Sequence, residues 1–303
     1  MRTLEIRHRT RYEYAQPVAL DDYRLMLRPR DSHDLRLLHT NLVIDPVAQV
    51  RWIHDPFGNS IAIASFAPHP IRALEIISTI RLERYGVPSE LPQIEDYART
   101  LPFSYLAQDA PDLARCAERH YPDPQAKVSR WTRQFLDGAG KASDTFAVLL
   151  RLCQGIKDQL AYAMRFEIGT QPPARTLEIG GGTCRDYALL MMEAARSLGL
   201  AARFLSGYLY DPELDQPGSH APSTPHAWME VYLPGAGWVE FDPTHGIVGS
   251  DRLIRVAVAR DPEQAMPISG SFVGPGGVGI QSIVDVAVRT VDSAAPASAA
   301  RRA

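Results

Sequence analysis

Cysteine is scarce in this chain: three residues among 303, at positions 116, 153 and 184, with no Cys-x-x-Cys spacing. That excludes a disulfide framework and a cysteine-rich zinc site, and it leaves reduced thiols, any of which can serve as a nucleophile. Long apolar runs are missing too. No stretch of 18 apolar residues occurs, and the opening Met1-Arg2-Thr3-Leu4-Glu5-Ile6-Arg7-His8-Arg9 alternates charged with apolar side chains, unlike a signal-peptide core. Neither sign of charge dominates: the formal net charge is −3 and the pI about 6.3, so nothing draws the chain electrostatically to nucleic acid or an anionic membrane. The expectation is a cytoplasmic protein with neither as partner. No internal repeat is visible, and composition leaves the oligomeric state open.

What is present describes a globular chain long enough for about two domains, with 45% hydrophobic and 22% charged residues. From Leu4 to Tyr14, apolar Leu4, Ile6, Tyr12 and Tyr14 alternate with charged Glu5, Arg7, Arg9, Arg11 and Glu13, the period of a half-buried strand. Short apolar runs follow at 23–27, 37–44, 50–53, 61–66 and 74–82, and Asp55-Pro56-Phe57-Gly58-Asn59 has hairpin-turn chemistry. Residues 1–86 therefore read as a small all-β sandwich. Past Pro88 the pattern turns to proline-punctuated helical pieces. From Phe146, apolar positions 146, 149, 150, 153, 156 and 160 share a helical face, so Cys153 reads as core, and Cys116 in a polar helical stretch reads as incidental. Strands are expected at 201–210, 226–233, 237–242, 254–258 and 280–291. The Ala/Ser/Pro/Arg tail, 293–303, is expected to be disordered.

The third cysteine stands apart. Gly180-Gly181-Gly182-Thr183-Cys184 precedes an apolar run, Thr183 is an N-cap with Asp186 three residues on, and Gly199 follows the last apolar residues, predicting a buried helix from Cys184 to about Leu198. A thiol in the first turn meets unpaired backbone N–H groups and the positive end of the helix dipole, which can bring its pKa from ~8.5 towards ~3.5–7.5. A nucleophilic thiol needs a base and a group that orients the base. His226, Trp228, Glu230 and Tyr232 share one face of a strand, and Trp238, Glu240 and Asp242 share one face of the next. If the turn Pro234-Gly235-Ala236-Gly237 sets Tyr232 opposite Trp238, Asp242 falls opposite Trp228 and diagonal to His226, within hydrogen-bonding reach. The other side, with Ala227, Met229, Val231, Leu233, Val239 and Phe241, would pack on a core, turning the polar side to the thiol. Two further bases compete: His220 lies in a Pro/Gly/Ser-rich loop with nothing rigid to hold it, and His245 follows Asp242 too closely to be oriented by it.

Four blocks carry a resemblance: Gly182-Thr183-Cys184-Arg185-Asp186-Tyr187-Ala188, Ala202-Arg203-Phe204-Leu205-Ser206-Gly207-Tyr208, His226-Ala227-Trp228-Met229-Glu230-Val231-Tyr232, and Gly237-Trp238-Val239-Glu240-Phe241-Asp242-Pro243-Thr244. In this order they resemble the bacterial transglutaminase-like superfamily, and Arg24–Arg30 with Asp55–Asn59 resembles the β domain that precedes the core in one branch. The resemblance implies an α+β, papain-like core at 87–292, its signature part about 145–262, with a Cys-His-Asp triad at Cys184, His226 and Asp242. It implies acyl transfer from a glutamine or peptide-type carbonyl through a thioester, with water or an amine as acceptor; separately, a peptide or protein substrate is expected, and neither a cofactor nor a metal. Tyr162 is the candidate donor that joins the Cys184 N–H in an oxyanion hole. Departures from the family pattern fall at Thr183, His245 and Val258-Ala259-Arg260-Asp261, all expected around the cleft. Hydrolysis leads; cross-linking of glutamine to an amine, a zinc hydrolase ligated by Cys184, His226 and Asp242, and a non-catalytic binding module are the alternatives.

Overall fold

The computed structural model describes residues 1–86, 91–138, 141–165, 167, 169–215 and 224–291; His220 and residues 293–303 lie outside these. The alternating segments form β1 (Arg2–Leu20), β2 (Tyr23–Arg28), β3 (Leu35–Asp45), β4 (Ala48–His54), β5 (Ser60–Phe66) and β6 (Ile71–Arg84). β1, β6 and β3 make one antiparallel sheet, and β2, β5 and β4 a second. Tyr14, Val18, Leu74 and Ile76 of the first sheet meet Leu25, Leu27, Ala62 and Ala64 of the second in a shared core, which makes the region a sandwich.

The rest of the chain supplies, among its described residues, the α-helices α1 (Ala110–Ala117), α2 (Lys127–Arg133), α3 (Thr145–Gln159), α4 (Pro173–Ile179) and α5 (Cys184–Ser197). It also supplies the strands β7 (Ala202–Leu209), β8 (His226–Leu233), β9 (Gly237–Asp242) and β10 (Leu253–Ala259), which form an antiparallel sheet in the order β9-β8-β7-β10 with Ile247–Val248 beyond β9. α5 packs on β8 and β7. Leu189, Leu190, Met191 and Met192 are wholly excluded from solvent, each burial contributing roughly 1.5–3 kcal/mol, so the helix is the pillar of this half. Gly199, at φ 83°, follows its last turn in the left-handed conformation that stops a helix.

One strand departs from the expected division at residue 87. β11 (Ile280–Thr290) pairs antiparallel with β1, from Tyr14 opposite Ile280 to Leu4 opposite Thr290, and Ile268–Ser269 and Phe272–Val273 add to β2 and β1. Residues 268–290 thus belong to the sandwich rather than to a unit spanning 87–292. The cause is apolar burial: Val286 and Val288 join Leu4, Ile6, Ile80 and Leu82 in one cluster. Tyr208, Tyr210, Ile254 and Val256 enter the same cluster, so the two halves meet in a shared apolar cluster beside the core of each. Asn59, at the end of the β4–β5 turn, clamps the junction by accepting from Val258 N at 2.9 Å and donating to Val258 O at 2.7 Å.

Candidate active site

The glycine run does what its composition requires. Gly180 closes α4 at φ 72°, and a Cβ on Gly181 would stand 2.4 Å from the carbonyl oxygen of Ala161, so only glycine lets residues 161–162 pair alongside 181–182. Thr183 then caps α5, its backbone N–H and hydroxyl both donating to Asp186 Oδ2 at 2.9 Å. Asp186 is wholly buried, and Arg165 grips both its oxygens, at 2.8 and 2.9 Å, while Gln171 N donates to Oδ1 at 2.7 Å. These bonds hold Arg165 and Gln171 against the helix start. Sequence reasoning saw the cap and missed this clasp, because nothing local links Arg165 to a residue 21 positions away.

Cys184 opens α5 at the floor of a cleft of about 300 Å³ lined also by Tyr162, Arg165, Arg185, Ser206, His226 and Met266. Only 8% of its surface is exposed. Burial pushes the thiol up, but a hydrogen bond from His226, the charge of that ring, the Ala227 N–H and Arg185 together bring it below the ordinary thiol value. His226, the first residue of β8, gives Nε2 to Asp242 Oδ2 at 2.8 Å, which leaves Nδ1 for the thiol. Burial pulls its pKa down; Asp242 and Cys184 outweigh that and push it up to about 10. Asp242, wholly buried at the end of β9, also receives Thr244 N on Oδ1 at 3.0 Å and is held well below the usual carboxylate range. Thiol, imidazole and carboxylate therefore interact in sequence, the imidazole hydrogen-bonded to Asp242 and electrostatically coupled to Cys184.

The hairpin has the anticipated register, with Tyr232 opposite Trp238 and Met229 opposite Phe241. Its orientation is different. Cys184 packs with Ala227 and Met229 on the apolar side, under α5, and Trp228 and Glu230 are buried on the other. His226 still meets the thiol because it stands at the strand's first position, at the sheet's end, where its ring, stacked on Trp228 with centroids 5.8 Å apart, reaches the start of α5. His245 is a second correction: Asp242 does orient it, its Nδ1 lying 2.8 Å from the same Oδ2 that His226 uses. His245 nonetheless lines no part of the cleft, nor do residues 258–261; of the departures from the family pattern only Thr183 does. Tyr162, half exposed, lines the same cleft; its hydroxyl donates to Met164 Sδ at 4.0 Å, and burial together with the neighbouring Cys184 thiol pushes its pKa up to about 12.

Cys153 is core, as expected: it is fully buried, with its thiol pushed up by burial. The one group of His, Cys, Asp and Glu residues among those described whose ligand atoms could share a metal ion is His226, Asp242 and His245, within 4.8 Å of one another. Cys184 is not part of it, so the zinc set of Cys184, His226 and Asp242 is not brought together as a cage. The chemistry the arrangement offers is that of a thiolate paired with an imidazolium.

Residues 4–83 match the family model for the bacterial transglutaminase-like N-terminal region, and residues 132–243 that for the transglutaminase-like superfamily. An uncharacterised protein of Mycobacterium leprae is 30% identical over 105 residues, 35% of this chain and 37% of that relative's length. An uncharacterised Mycobacterium tuberculosis protein is 27% identical over 94% of this chain and 91% of its own. Among solved structures, one described as a candidate cysteine protease from Cytophaga hutchinsonii superposes with a TM-score of 0.73 at 18% identity, over 97% of this chain and 92% of the other. That likeness establishes the fold, a transglutaminase-like core behind an all-β region.

Proposed function

We propose that this chain, which belongs to the transglutaminase-like superfamily, cleaves peptide or isopeptide amides through a thioester on Cys184, with water as the acyl acceptor. The observation that carries this reading is that Cys184, at a helix start, and His226, hydrogen-bonded to buried Asp242, line one cleft and interact there. The thiolate adds to the carbonyl carbon, and the electron pair of the C=O bond moves to oxygen, where the Cys184 N–H and the Tyr162 hydroxyl receive it. As the tetrahedral adduct collapses, the C–N bond breaks and the departing nitrogen takes a proton from His226, leaving a neutral thioester. Water then gives a proton to His226 and adds to the thioester carbonyl; the thiolate leaves and the acid is released. Asp242 keeps the ring oriented with its Nε2 protonated throughout.

Water rather than an amine is favoured by the exposure of the cleft's rim, where Tyr162 and Met164 are 50% and 66% accessible, so solvent reaches the acyl group. Cross-linking stays an outcome of the test. A peptide-amide library is incubated with the protein and a labelled primary amine, and released ammonia or amine is compared with label incorporated. Release should exceed incorporation, Cys184→Ala and His226→Ala should each abolish turnover, and Asp242→Asn should cost less, on the order of 10⁴ in kcat. Full activity in Cys184→Ala would remove the basis of the proposal.

A further inference from the structure

Two arginines line the catalytic cleft, and only one is neutralised. Arg165 is held bidentately by Asp186. Arg185, the residue after the nucleophile, donates from Nη2 to the Pro262 carbonyl at 2.7 Å and stacks its guanidinium over the Phe204 ring at 4.8 Å. It forms no ion pair with a described carboxylate, and its buried Nε has no hydrogen-bond partner. Ser206, 3% exposed, lines the same cleft, and its hydroxyl makes no hydrogen bond to a described residue. A sheltered cation with no carboxylate paired to it is costly to fold around, which calls for an anion that arrives in use. Of the negative charges near Arg185, that of the Cys184 thiolate acts most strongly, ahead of Asp186 and Asp261. Acylation turns the thiolate into a neutral thioester. The guanidinium then loses its main compensating charge while the acyl group lies beside it.

We infer that Arg185, with Ser206, binds a carboxylate on the acyl side of the substrate, so that the preferred substrates are amides whose acyl portion carries a free carboxylate near the scissile carbonyl. A planar guanidinium suits that group, since it can donate two parallel hydrogen bonds to it. A cleft of about 300 Å³ accommodates one small acidic unit. The inference rests on Cys184 being the nucleophile.

Iodoacetate and iodoacetamide test it without knowledge of the substrate. Both form an Sγ–C bond and expel iodide, and they differ only in carrying a carboxylate or a neutral amide. Wild type should react with iodoacetate ~10-fold or more faster than with iodoacetamide, as expected for a hydrogen-bonded charge pair. Arg185→Gln should bring the ratio to one or below, and Arg185→Lys should retain part of the preference. An arginine that only supports the thiolate would slow both reagents equally and leave the ratio unchanged; that result, or a wild-type ratio of one or below, overturns the inference. Should Arg185→Gln not fold, protection of wild-type Cys184 from iodoacetamide decides: glutarate should slow labelling and glutaramide should not, and equal effects refute carboxylate binding. If neither reagent labels Cys184, the nucleophile itself is wrong and this inference falls with it.

Discussion

At the scale of single residues, Asp242 sets the protonation of the site. Wholly buried and carrying two imidazoles on one oxygen, it stays ionised and keeps the proton on His226 Nε2. The thiolate–imidazolium pair then exists from the lowered Cys184 value up to about pH 10, where His226 gives up its proton. The sign follows directly. Activity should rise as pH climbs through a thiol pKa below ~8.5, hold through neutrality, and fall near 10, measured as kcat/KM against pH. A rate that begins to rise only at ~8.5 would mean an unperturbed thiol. The pairing of His226 with Asp242 was legible because a two-residue period and one turn length fix which side chains are diagonal. The bond from His245 to Asp242 was not legible, since a chain that reverses at Pro243–Gly246 can bring a residue three positions on back to the carboxylate.

At the scale of elements, α5 begins where it does because Thr183 and Asp186 close its first turn, and Asp186 also anchors the cleft lip through Arg165. Asp186→Ala should therefore cost more than a lost cap, about 3–5 kcal/mol in urea unfolding, because it strands the Arg165 guanidinium and the Gln171 N–H. It should raise KM as well, since Arg165 lines the cleft. A loss of only about 1 kcal/mol with KM unchanged would reduce Asp186 to a cap. The helix was readable from Gly182 to Gly199, every signal being local. The side of the hairpin that receives it was not: alternation separates two faces of β8, but Trp228 and Glu230 can be buried as completely as Ala227 and Met229, and here they are.

At the scale of the whole molecule, the chain returns to its beginning. β11 lies along β1, and Val286 and Val288 complete the cluster that joins the sandwich to the sheet carrying His226. Removing residues 280–303 should lower stability by about 3 kcal/mol or more from those two side chains alone, and it leaves β1 as an open edge prone to association. Thermal unfolding and size-exclusion chromatography would report this; an unchanged Tm with a monomeric profile would show that β11 contributes little. The alternation of 280–291 announced a strand, yet nothing within it names a partner more than 260 residues away. That is why residues 268–290 read as part of the following half rather than of the sandwich.

The most direct measurement is the rate of Cys184 alkylation by iodoacetamide against pH, in wild type and in His226→Ala, with EDTA present throughout. The wild-type midpoint should fall clearly below ~8.5 and move up towards it once the imidazole is removed. One midpoint near ~8.5 in both proteins would contradict a thiolate held by His226.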